Sequence, residues 1–142
     1  ILKVVAGKKV GYYMDFKKRL PNMLEVEVNQ YYTILADTFM KRNTDLNKKC
    51  IEIILDNILG VTILDAAAGK GYLVEKIKEK TGKNITALDI IIQKTKRRDI
   101  KWVEGSLTEM PFPDNSFDTV LCTHALEHIK DVKMALNELR RV

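Results

Sequence analysis

The chain has 142 residues, 46% of them hydrophobic and 30% charged, a composition that reads as soluble and globular rather than disordered, with enough chain for one domain with a core. No apolar run approaches the ~20 residues needed to cross a bilayer, and no secretory pattern opens the chain, so no membrane role is expected. The net charge of +5 is uneven: residues 1–50 hold ten Lys/Arg against five Asp/Glu, and residues 51–142 hold fourteen of each. A basic segment can attract anionic small molecules, RNA or a membrane surface. At this density a solvated, Lys-rich face accounts for it, and RNA stays open as a partner without a residue pattern in its favour.

Residues 1–45 read as an N-terminal helical or lid segment. Gly7, Gly11 and Pro21 punctuate its start, and Lys17-Lys18-Arg19 is a small basic cluster. Residues 30–42 have helical spacing, with Tyr31, Leu35 and Phe39 on one face. Asn43-Thr44-Asp45 offers capping side chains for a second helix, which carries Leu46, Cys50, Ile51, Ile54, Leu55 and Ile58 and which Gly60 is placed to end. Cys50 and Cys122 are far apart and match no metal or redox spacing. They read as reduced core thiols of a cytoplasmic protein, with no metal site expected.

From residue 61 strand and helix alternate. Residues 61–64 form a first strand, 72–80 a helix stopped by Gly82, and 85–88 a second strand ending at Asp89. Residues 101–104 form a third strand around Trp102 and Val103. Pro111 and Pro113 mark a loop, and Asp114-Asn115-Ser116 a turn. Residues 117–122 form a fourth strand, broken in pattern by Asp118. Asp131 caps a last helix with Val132, Leu136 and Leu139 on one face. This alternation predicts an α/β fold, a doubly wound parallel sheet with right-handed crossovers. The link over residues 90–100 is short for a crossover, and its helix is expected to shrink to a turn or two carrying Lys94, Lys96, Arg97 and Arg98.

Small residues follow the first strand because a larger side chain would stand between the backbone and a nucleotide. Asp89 lies eighteen residues after Gly71, where an acid can accept hydrogen bonds from ribose hydroxyls. Ligands of such folds bind at the carboxyl ends of the strands, so Asp65 to Gly71, Asp89 and Ser106 are expected to converge.

Ile63-Leu64-Asp65-Ala66-Ala67-Ala68-Gly69-Lys70-Gly71 resembles the glycine-rich first motif of class I S-adenosylmethionine-dependent methyltransferases, of the subgroup acting mostly on small molecules. Ala87-Leu88-Asp89-Ile90 is similar to that family's strand with the ribose-binding acid. Glu104-Gly105-Ser106-Leu107 and Met110-Pro111-Phe112-Pro113-Asp114-Asn115-Ser116-Phe117-Asp118 resemble its stretch between third and fourth strands. His124-Ala125-Leu126-Glu127-His128-Ile129 and residues 135–142 extend the match, which covers residues 46–142, the cofactor-binding part.

The resemblance implies a Rossmann-like methyltransferase fold with strands in order 3-2-1-4, S-adenosylmethionine as cofactor and a small-molecule acceptor. It places Ala67, Gly69 and Gly71 against the methionine part of the cofactor and Asp65 near its ammonium group. Asp89 would hold the ribose, Ile90 the adenine face, and Ser106 and Leu107 the adenine edge. Thr123 and His124 would line the transfer site. His124 is the candidate catalytic base, although His128 one turn away suggests that both could simply pack around a helix start.

Ala67 stands where the family usually has glycine, and is expected to fit with a negative φ. Ser106 stands where an acid usually contacts the adenine amino group. The family also continues past Val142 with further strands, so the fourth strand is expected to be an edge covered by a missing C-terminal segment or a partner. Tyr12, Tyr13, Tyr31 and Tyr32 could form a lid over the site.

Two rivals stand beside methyl transfer. An NAD-dependent oxidoreductase wants Gly-x-Gly-x-x-Gly, but Val74 fills the third glycine's place. A non-catalytic methyltransferase-like binding module would keep the cofactor without turnover.

Overall fold

A computed structural model describes residues 18–24, 26–28, 30, 46–92 and 98–142. The chain divides into two compact units, residues 1–41 and 42–142. The expected lid tyrosines, the helix over 31–42, the caps at 43–45 and the basic residues 94–97 lie outside the described residues. In the first unit, Leu20–Asn22 form one 3₁₀ turn, with Pro21 near its start, where a fixed φ and missing N–H cost nothing.

The second unit begins with α1, Lys48–Asp56. Its cap is Asn47, whose side chain accepts the Cys50 N–H at 2.9 Å. The helix ends before Ile58, and Gly60 sits beyond it at φ +64°. Then follow β1 (Thr62–Ala66), α2 (Tyr72–Thr81), β2 (Asn84–Asp89), β3 (Lys101–Glu104), β4 (Thr119–Leu121) and α3 (Val132–Arg141). Gly82 ends α2 in a left-handed conformation.

All strand pairs are parallel and the order is β3-β2-β1-β4, as expected for a doubly wound sheet. Ile63 and Ala66 of β1 pair with Ile85 and Leu88 of β2, and Leu64 with Val120 of β4. Alternate β1 residues feed two cores. Ile63, Ile85 and Ala87 pack with Leu73, Val74 and Ile77 of α2 and with Ile54 and Leu55 of α1. Leu64, Ala66 and Leu88 pack on the other face with Leu107, Met110, Ala135 and Val142.

Two expectations are corrected. The fourth strand is shorter than residues 117–122, because the Asp118 carboxylate turns back to accept Val61 N–H, Thr62 N–H and the Thr62 hydroxyl at 2.8–2.9 Å. In α3, Val132 and Leu136 are exposed, and the inward residues are Ala135, Leu139 and Val142. Ala135 has no exposed surface; a methyl side chain lets the helix lie close to the sheet, so its inner face carries less apolar bulk than its outer one.

Candidate functional site

The loop after β1 is built by the sheet beneath it. Ala67 N–H and Ala68 N–H both donate to the Leu88 carbonyl, at 2.8 and 2.9 Å. Gly71 N–H then returns to the Ala68 carbonyl at 2.9 Å. This fold-back places Ala67, Gly69 and Gly71 at φ +68°, +55° and +79°. Ala67 therefore does not take the negative φ expected of it. The two bonds to Leu88 hold it in the left-handed region, where a non-glycine residue carries about 1 kcal/mol of strain.

Gly71 opens α2 and lies against Trp102. A Cβ there would stand 2.7 Å from Trp102 Cζ2. Trp102, on β3, reaches the apolar core beneath the loop, and its indole nitrogen is buried without a hydrogen-bond partner among the described residues.

Asp89 closes the loop from the neighbouring strand. Its Oδ2 accepts the Gly69 N–H at 2.7 Å and its Oδ1 the Ile91 N–H at 3.2 Å. Burial raises its pKa, while these N–H groups pull the other way. A carboxylate has about four acceptor positions, so lone pairs remain for hydroxyl donors. Ile90 beside it is half-buried.

Asp65 is 1% exposed, and its Oδ1 has no hydrogen-bond partner among the described residues. Burial first, and the Asp89 charge second, push its pKa up to about 7. A buried carboxyl oxygen without a donor is costly unless something outside the chain satisfies it. Cys122, at the end of β4, feels this acid: burial, then Asp65, then Glu127 push its thiol up to about 11. The cysteine, read from sequence as a core thiol, thus sits beside the candidate site.

At the end of β3 the Gly105 N–H donates to the Asp89 carbonyl at 3.0 Å, which sets Ser106 next to the ribose candidate. The Ser106 and Thr108 hydroxyls lie 2.7 Å apart, and Thr108 N–H donates to Ser106 Oγ at 3.2 Å. Thr108 escaped the sequence reading; its only signal was a hydroxyl two residues after Ser106, the spacing of a local turn. Leu107 is 4% exposed and belongs to the core.

Past β4, Thr123 is half-buried. His124 has φ +51° and a side chain 54% exposed, with Nδ1 3.9 Å from Glu127 Oε1; His128 Nε2 is also 3.9 Å from that oxygen. Among the described residues no His/Cys/Asp/Glu group could hold a metal, and no helix is long and apolar enough to cross a membrane.

The donor set suits S-adenosylmethionine. An unpartnered buried carboxyl oxygen matches an ammonium, and Asp89 retains lone pairs for ribose hydroxyls.

Comparison with known proteins identifies the family. Residues 64–142 match the family model of a methyltransferase domain. The chain is 31% identical over 121 residues to a demethylmenaquinone methyltransferase of Renibacterium salmoninarum, covering 82% of this chain and 51% of that protein. It is 30% identical over 149 residues to a ubiquinone/menaquinone biosynthesis C-methyltransferase of Rickettsia bellii, covering 89% of this chain and 60% of the relative. The chain thus spans about half the length of the curated relatives it matches. Among solved structures, a putative methyltransferase from an antibiotic biosynthesis pathway of Anabaena variabilis superposes with a TM-score of 0.61 at 22% identity, over 68% of this chain and 42% of that one. That likeness bears on the fold. With the domain match covering more than half of its length, the chain belongs to the methyltransferase domain family, whose fold and chemistry imply S-adenosylmethionine as methyl donor.

Proposed function

We propose that this chain binds S-adenosylmethionine across the carboxyl ends of β1, β2 and β3 and takes part in moving its methyl group to a small-molecule acceptor. The observation that carries the reading is the buried Asp65 oxygen with no donor among the described residues, on the strand that leads into a small-residue loop that Asp89 ties shut.

In this reading Ala67, Gly69 and Gly71 let backbone approach the methionine part of the cofactor, and Asp65 receives its ammonium group. Asp89 accepts the ribose hydroxyls, Ile90 packs on the adenine face, and Ser106 with the Leu107 backbone meets the adenine edge. The cofactor, when bound, supplies a methyl group already activated by its sulfonium. The protein's task is therefore to align the acceptor and exclude water. Thr123 lines the transfer site. His124 holds the proton that the acceptor must lose, a role open to an imidazole near neutral pH. Its left-handed backbone supports that assignment, since such strain gathers at functional positions.

The acceptor class we favour is a quinone precursor, because the relatives are named for demethylmenaquinone and for ubiquinone/menaquinone biosynthesis. Losing a ring proton on methylation makes a positioned base useful there. Against an oxidoreductase reading, Val74 is fully buried where its glycine would be needed.

Calorimetric titration with S-adenosylhomocysteine, using NADH as control, tests the cofactor. Binding of the first alone supports the reading, and binding of NADH alone overturns it. Transfer of labelled methyl from S-adenosylmethionine to a demethylated quinone then tests the acceptor. Cofactor binding without turnover on any acceptor would leave a non-catalytic binding module.

A further inference from the structure

The loop from Gly105 to Phe117 is fastened at its far end by one side-chain pair. Arg141 Nη1 donates to the Phe112 carbonyl at 2.7 Å and to Asp114 Oδ1 at 2.9 Å; Nη2 donates to the Met110 carbonyl at 3.1 Å. The same guanidinium grips Glu138 through Nε at 2.6 Å and Nη2 at 2.8 Å. Glu138 Oε2 in turn accepts the Met110 N–H at 2.7 Å. Backbone bonds run alongside, from Asn115 N–H to the Arg141 carbonyl and from Phe117 N–H to the Val142 carbonyl, at 2.8 and 2.9 Å.

At its near end the loop hangs from Asp89 through Gly105. The residues between these anchors are Ser106 to Glu109, which leave β3 beside the ribose candidate. Ligands of this architecture sit at that end of the sheet. Leu107 and Met110 share a core with Ala125, Leu126 and Ile129, the segment after His124, and with Ala135 and Leu139 of α3. α3 therefore shares one core with the loop after β3 and with the segment after His124.

Stability by itself does not account for the choice of partners. The Arg141 and Glu138 side chains are 29% and 17% exposed, and their bidentate pairing fixes geometry as well as adding energy. What a guanidinium fork does uniquely is fix several acceptors at once in one plane. Here those acceptors are two loop carbonyls and two carboxylates.

We propose that Glu138 and Arg141 are positioning residues for cofactor binding: by fastening Met110, Phe112 and Asp114 to α3 they set the nucleobase-side wall formed by residues 105–109. The inference rests on the methyltransferase reading above. Neither residue touches the cofactor; both act through the loop.

The test uses the full chain and its Arg141→Ala, Arg141→Lys and Glu138→Gln variants, titrated with S-adenosylhomocysteine, with thermal unfolding and amide hydrogen exchange in parallel. Arg141→Ala should raise Kd about tenfold, the size expected when charged hydrogen bonds cease to hold a binding surface. Arg141→Lys, which keeps the charge and loses the fork, should fall between. Binding stoichiometry should stay at the wild-type value, because each folded molecule still binds. Exchange should quicken at residues 106–114 and not at Gly69 or Ile91. Wild-type Kd in all three variants would overturn the inference. So would reduced stoichiometry at unchanged Kd, the mark of a purely structural role. If the unmutated chain fails to bind S-adenosylhomocysteine, the methyltransferase reading itself falls; wild-type binding with indifferent variants sinks the positioning role alone.

Discussion

The Asp89 carboxylate, at the end of β2, accepts the backbone N–H of Gly69 in the loop after β1 at 2.7 Å, twenty residues away in sequence. One acid therefore ties the loop and offers its remaining lone pairs to a ribose. Asp89→Ala removes both functions and should weaken S-adenosylhomocysteine binding by ~1–3 kcal/mol. Asp89→Asn keeps an acceptor for Gly69 and should lose less. Unchanged calorimetric affinity in the alanine variant would remove the ribose assignment.

Ala67 sits at φ +68° because Leu88 draws its N–H and that of Ala68 onto one carbonyl. Glycine adopts this conformation without a Cβ penalty, although it has more unfolded-state freedom to lose. Ala67→Gly should therefore raise unfolding stability by up to about 0.5 kcal/mol, the strain less the glycine's entropy cost, read from the urea midpoint at unchanged slope. A destabilised variant would mean the strain is not there.

Asp65 makes stability depend on pH. Its pKa in the folded chain is pushed up to about 7, above an ordinary value of 3.8, so the folded state holds the proton over a range where the unfolded chain has released it. The contribution is present in full below pH 3.8, fades as pH rises, and is lost above about pH 7. Asp65→Asn, a mimic of the protonated acid, should gain Tm relative to wild type as pH rises from 4 to 8. A gap that stays constant with pH would show that Asp65 does not titrate in this window.

Trp102 and Gly71 form the tightest approach under the loop: a methyl group on Gly71 would stand 2.7 Å from the indole ring. Gly71→Ala should displace the indole and cost roughly 1–3 kcal/mol, from overpacking and a left-handed φ together. Trp102 is the chain's one tryptophan, so its emission reports the shift directly. Trp102→Phe should recover part of the loss in the double variant; strictly additive effects would separate the two residues.

Much of the fold is legible from residue spacing. Apolar runs at 61–64, 85–88 and 101–104 mark three strands, observed at Thr62–Ala66, Asn84–Asp89 and Lys101–Glu104, so each bound falls within two residues. Asp131 is readable as a cap, and its side chain accepts the Met134 N–H at 2.9 Å. The inner face of α3 is not legible in this way, because burial there is decided by closeness to the sheet. Ala135 is buried while the larger Val132 and Leu136 face outward.

Sequence by itself determined the order of elements, the small-residue loop and the acids at two strand ends, because periodicity and residue size act locally along the chain. Tertiary structure alone decided what those residues do to one another. The sign of φ at Ala67 follows from a carbonyl on β2. That Asp65 Oδ1 has no hydrogen-bond partner among the described residues follows from its burial on the central strand β1. The fork of Arg141 closes on residues 27–31 positions away. Hydrogen bonds and desolvation depend on distances that only the packed chain sets.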